Sequence, residues 1–183
     1  MKLKLTLTAA ALALTVGFGA MAQTDPMVGG AAMFPTKNII DNAVNSKDHT
    51  TLVAAVKAAG LVPTLQGPGP FTVFAPTNEA FAALPPGTVD NLLKPENKGT
   101  LTAVLTYHVV PGRYDRKALE AAIKTAPGGK LMLKSAQGGM LTVAEQNGVF
   151  WVSDAKGNAA RVTIPDVYQS NGMIMVIDKV LMP

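Results

Sequence analysis

The stretch from Gly69 to Leu84 constrains the fold most, because its hydrophobic period changes part-way along. Phe71, Val73 and Phe74, with β-branched Thr72, form a short run apolar on both faces, the pattern of a strand buried between two layers. Pro76 stops that run. Thr77 then has the chemistry of a helix N-cap, its hydroxyl accepting from a free amide of the first turn, and Glu79 puts negative charge where the helix dipole favours it. Phe81 and Leu84 fall on one helical face, which must pack back on the strand just left. The stretch therefore predicts strand, turn and helix, and it pairs no nucleophile with a base.

On either side of it the chain has two characters. Before it, helical spacing appears from Lys37 to Asn45 and from Thr50 to Ala59, with Gly60 as a stop and Leu61 to Leu65 as a connection. After it, Thr88 caps a short helix, a further helix covers Asn97 to Tyr107, and Asp115 caps another in which Leu119, Ala122 and Ile123 face inward. Beyond Gly129 the period becomes two. Strands are expected at Leu131–Leu133, Met140–Gln146, Val149–Val152, Arg161–Ile164 and Met173–Leu181, with tight turns at Asn147-Gly148 and Asn171-Gly172. The last strand is apolar on both faces and so belongs in the middle of a sheet. Helices first and strands last give an α+β fold.

The first 22 residues are a targeting segment. Lys2 and Lys4 precede an apolar run from Leu5 to Phe18, and Ala20-Met21-Ala22 fits a small-x-small cleavage pattern before Gln23. The run is shorter than the roughly 20 residues a spanning helix needs, so the expectation is export, cleavage and a periplasmic or secreted product with no membrane span. Residues 23–36, rich in Pro and Gly, form an extended arm whose Met27, Val28, Met33 and Phe34 can lie on the domain; residues 37–183 form a single domain. Cleavage leaves 183 − 22 = 161 residues, enough for one core, and lowers the formal charge from +4 to +2. Nucleic acid is thereby a poor partner. The chain has no Cys, which excludes disulfides and thiolate chemistry.

Two histidines are available for acid–base or metal work. His49, in Ser-Lys-Asp-His-Thr, reads as a solvated residue at a helix start. His108, beside Tyr107 and the apolar Val109 and Val110, reads as buried, and a hydrogen-bonded core histidine outweighs a ligand or catalyst there because no second His or carboxylate cluster accompanies it. No serine lies in a nucleophile elbow, and the acids are scattered singly, so no catalytic, cofactor-binding or metal residue is nominated. Arg113, Arg116, Lys117, Lys124, Lys130 and Lys134, with Asp115 and Glu120 among them, make a local positive balance, read first as a solvated face and second as a contact for an anionic polysaccharide or surface. Met132, Met140, Met173, Met175 and Met182 gather in the strand half, as adaptable core, as walls of an apolar pocket or as copper(I) ligands, in falling order of weight.

These residues carry a resemblance. Phe71-Thr-Val-Phe-Ala-Pro-Thr-Asn-Glu-Ala-Phe81 resembles the first signature of fasciclin-like (FAS1) domains, Tyr107-His108 their Tyr-His motif, and Ser170-Asn-Gly-Met-Ile-Met-Val-Ile-Asp-Lys-Val-Leu-Met-Pro183 their second signature. Met27-Val-Gly-Gly-Ala-Ala-Met33 is similar to the arm of small secreted bacterial members with one such domain. The resemblance implies a wedge-shaped β-sandwich with a layer of short helices. It also implies a non-enzymatic role in adhesion or matrix contact outside the cytoplasm, the partner being a cell-surface or matrix protein or polysaccharide. Phe71, Phe74, Pro76, Thr77, Phe81, Asn171, Gly172 and Asp178 then become structural signature positions, and Tyr107 and His108 candidate interaction residues. A second implication is a carrier of a carotenoid or lipid, with the arm and the Met-rich strands as walls. This chain has Met175 where many members carry His.

Overall fold

The computed structural model describes residues 25–183, so the targeting segment expected at residues 1–22 lies outside the described residues. The chain opens with a small hairpin, β1 (Met27–Val28) and β2 (Ala31–Ala32), then runs through α1 (Ile39–Ala43), α2 (Thr50–Ala59) and α3 (Val62–Gln66). The strand, turn and helix expected around Pro76 are β3 (Phe71–Pro76) and α4 (Asn78–Ala82), and the Thr77 hydroxyl accepts from the amide of Ala80 as a cap should. There follow α5 (Thr88–Leu92), α6 (Lys98–Tyr107), β4 (Val109–Pro111) and α7 (Arg116–Thr125). The last part is β5 (Lys130–Lys134), β6 (Met140–Gln146), β7 (Val149–Ser153), β8 (Ala159–Gln169) and β9 (Gly172–Ile177).

Strands β3 to β9 form one seven-stranded sheet in the order β4-β3-β9-β8-β7-β6-β5. β3 and β9 pair in parallel, and every other pairing is antiparallel. The sheet bends until its two ends nearly meet. Beyond β5 the amide of Ala136 donates to the carbonyl of Val109 at 2.7 Å, and that of Gln137 to Thr106 at 3.3 Å. Helices α1 to α6 cover one face of the central strands and α7 packs on the other, so the α+β class holds and the sandwich is a single folded sheet.

The two central strands divide the interior in two. Side chains alternate across a strand, so Val73 and Ala75 of β3 with Ile174 and Val176 of β9 meet Leu52, Val56, Leu101 and Leu105 of the helices. On the opposite face Phe74, Met173, Met175 and Ile177 meet Leu119 and Ile123 of α7 and Leu141, Val143 and Val152 of the outer strands. Such a position demands strands without a polar face, as the sequence of β9 predicts.

Three local expectations change. The connection Leu61 to Leu65 contains α3, which Pro63 favours by occupying the first turn, where its missing amide costs nothing. Helix α5 is entered through Gly87 with a left-handed φ of 80°, and Thr88 makes no side-chain cap. The clean alternation at Arg161 to Ile164 is the start of a longer β8, which is bulged where its register against β9 shifts.

Candidate functional site

Helix α6 ends at Tyr107, and the chain turns through His108 into β4. The turn leaves Tyr107 1 % and His108 2 % exposed. The Tyr107 hydroxyl donates to the carbonyl of Met140 at 2.7 Å and accepts from the amide of Ala155 at 3.2 Å. His108 Nδ1 lies 2.8 Å from the carbonyl of Val104, and Nε2 accepts from the amide of Leu181 at 2.9 Å. A carbonyl only accepts and an amide only donates, so the ring is neutral with its proton on Nδ1. Burial lowers its pKa from 6.5 to about 4, against the opposing pull of the Val104 carbonyl and the Asp154 charge. With both nitrogens occupied, this imidazole can neither take a proton from an incoming group nor ligate a metal.

Asp154, which sequence reasoning passed over as an isolated acid, completes the arrangement. One carboxyl oxygen accepts from the amides of Lys156 and Asn158, each at 2.9 Å; the other accepts from the Asn158 side chain at 2.9 Å and the Met182 amide at 3.1 Å. Burial by itself would raise the carboxyl, but the Asn158 side chain and these amides outweigh it and hold the pKa below its usual value. His108 and Asp154 thus hold consecutive amides of the C-terminal segment, Leu181 and Met182. The Asp-Ala-Lys-Gly-Asn turn carries a sequence signal for this role, an Asx turn, though nothing in it tells which distant amide the second oxygen will meet.

The remaining signature positions are also fasteners. Asn171 Oδ1 accepts from the amide of Ile39 at 3.1 Å, and its Nδ2 donates to the carbonyls of Leu65 at 2.7 Å and Gly67 at 2.9 Å, joining α1 and α3 to the β8–β9 turn. A Cβ at Gly172 would strike the backbone of Phe71, so the parallel β3–β9 contact needs glycine there. Asp178 accepts from the Arg161 amide at 2.8 Å and lies 3.7 Å from its guanidinium. Phe74, Pro76 and Phe81 are buried and Phe71 is half-buried.

A model of the fasciclin domain matches residues 47–183. The chain belongs to the fasciclin domain family. It is 44 % identical over 171 residues to protein sll1483 of Synechocystis, covering 92 % of this chain and 87 % of that one. It is 36 % identical over 149 residues to transforming growth factor-beta-induced protein ig-h3 of Sus scrofa, covering 81 % of this chain but 20 % of ig-h3. Among solved structures it is similar to a FAS1 domain pair from the insect cell adhesion molecule fasciclin I, with a TM-score of 0.70 and 19 % identity over 80 % of this chain and 51 % of that one.

The second histidine of this fasciclin domain overturns the expectation of a solvated side chain. His49 is 3 % exposed. The reason is tertiary: the hairpin of residues 27–32 folds over it, with Val28 and Met33 buried and the amide of Lys47 donating to the carbonyl of Gly29 at 3.1 Å. Asn42, fully buried, fixes the end of the arm by accepting from the Phe34 amide at 3.0 Å, donating to its carbonyl at 2.8 Å and donating also to Gln169. Beneath the hairpin lies an apolar cavity of about 40 Å³, lined by Val28, Met33, Val56, Val73 and Ile174 among others. At about 10–15 Å³ each that is room for about three water-sized groups, far short of a carotenoid. Its walls include Val28 and Met33 of the arm and Ile174 of β9, but none of the methionines of the strand half. Met173 and Met175 are fully buried in the other core, while Met132 and Met140 are exposed. Among the described residues no group of three His, Asp or Glu side chains could hold a metal, and no helix is long and apolar enough to cross a membrane.

Proposed function

We propose that the protein works outside the cytoplasm as a non-enzymatic adhesion module. It holds an anionic polysaccharide against the face made by α7 and the β5–β6 edge. One observation carries this reading: cations without partners border exposed apolar surface. Lys117, Lys124, Lys130 and Lys134 are exposed, and none has an ion-pair partner among the described residues. Met132 stands 61 % exposed between Lys130 and Lys134 on β5, above an open groove that includes Ala122, Thr125 and Ala126. Lysines on an edge strand also discourage strand addition by another copy, which suits a surface meant for a polymer rather than for self-association. Membership of a family whose solved neighbour is named a cell adhesion molecule supports the general role. In this reading Tyr107 and His108 are positioning residues. They fix the α6–β4 corner from inside, and the partner meets the outer surface.

The test is retention of the chain lacking residues 1–22 on immobilised alginate, with dextran as the uncharged control. Retention at low salt that falls as salt screens the charges, and that disappears in the double variant Lys130→Glu/Lys134→Glu, is the expected result. Equal retention on dextran, or by the double variant, overturns it.

A further inference from the structure

The cavity under the N-terminal hairpin carries an inference that does not depend on the adhesive face. Its polar side chains are Ser46, His49 and His108. His108 has both nitrogens engaged. Ser46 Oγ lies 2.9 Å from His49 Nδ1, which leaves His49 Nε2, buried and without any hydrogen-bond partner. Burial lowers the His49 pKa and outweighs the neighbouring Ala75 backbone and the Asp48 charge, which both favour a proton on the ring. The ring is thus neutral at pH 7, and its unpaired Nε2 belongs to a residue that lines a mostly apolar cavity.

An unpaired polar atom in the interior is costly, and whatever pairs it recovers that cost. Water is a weak occupant here, because a buried water wants two to four polar partners and His49 Nε2 and the Ala75 backbone offer the minimum. A small molecule that is apolar except for a single oxygen fits better. A hydroxyl serves whichever tautomer the Ser46 bond selects, accepting from Nε2–H or donating to a bare Nε2. We infer that this cavity is a binding site for a small apolar molecule, or the apolar end of a larger one, bearing a single hydroxyl that pairs with His49 Nε2. The hairpin is the wall that can open for entry without breaking a pairing of the seven-stranded sheet. Gly29 lets it lie close, since a Cβ there would run into Ser46 and the amides of Lys47 and Asp48.

The experiment is an NMR titration of the chain lacking residues 1–22 with 1-propanol, and separately with xenon as a probe of equal apolarity but no oxygen. Saturable shifts at His49, Val28 and Met33 with both probes are expected in the wild type. His49→Leu should weaken 1-propanol about tenfold and leave xenon unchanged. Val56→Phe, which fills the cavity and keeps His49, should abolish both and serves if His49→Leu does not fold. No saturable shift with 1-propanol in the wild type, a bound water that 1-propanol does not displace, or shifts that persist in Val56→Phe would each overturn the site.

Discussion

His49 and His108 line the same cavity in the helical core, one at the start of α2 and the other at the end of α6, and both are almost entirely buried. Both ring nitrogens of His108 are answered. The ring bridges Val104 to Leu181, and Asp154 and Tyr107 secure the segments beside it. Around His49 one nitrogen is answered and the other is not. Burial alone therefore does not tell what a histidine does. A fully paired imidazole is a fastener whose loss is felt as stability, whereas a half-paired one facing a void keeps a binding capacity that stability does not require.

The contrast can be broken by experiment. The largest effect is expected from His108→Ala, which leaves the Leu181 amide unpaired in the interior and opens a cavity; together these cost about 4 kcal/mol, read as a lower midpoint in urea unfolding with an unchanged slope. A loss under about 1 kcal/mol would show that His108 fastens nothing.

Next comes acid. His108 is held at about 4 in the folded chain against 6.5 for a free side chain, so as pH falls the unfolded chain takes up the proton first. Stability should be level above about pH 7, decline between 6.5 and 4, and level off below for this group, a total of about 3 kcal/mol. Burial lowers the His49 pKa too, so it adds in the same direction. Urea midpoints from pH 7 to 4 in the wild type and in His108→Gln measure the His108 share, and equal slopes in the two would assign the loss elsewhere.

The smallest effect is expected from His49→Leu. It removes an unpaired polar atom and sacrifices one hydrogen bond to Ser46, so stability should change by less than about 1 kcal/mol in either direction. A loss matching that of His108→Ala would erase the contrast.

Much of this was legible in the sequence where the controlling interactions are short in range. Thr77 and Asp115 cap helices by accepting from amides three positions on, Gly60 stops α2 in a left-handed conformation, and Asn147-Gly148 turns β6 into β7 with both φ positive. Burial of His108 and the central place of β9 could be read from apolar neighbours. His49 could not, because its immediate neighbours are polar and the residues that cover it, Val28 and Met33, are brought over it by the hairpin. Asp154 was similarly opaque, one of its oxygens reaching the Met182 amide 28 positions on.

Most of the helices, strands and turns, α3 excepted, the α+β order of the chain and, through its signatures, its family are encoded locally, because periodicity, caps and turn residues act within a few positions. It took the assembled fold for Asn171 to hold Ile39 across 132 positions, for β3 and β9 to run in parallel, and for one histidine to be fully paired and the other left half-paired. Those outcomes depend on which distant backbone groups arrive at a side chain, and no local pattern encodes that arrival.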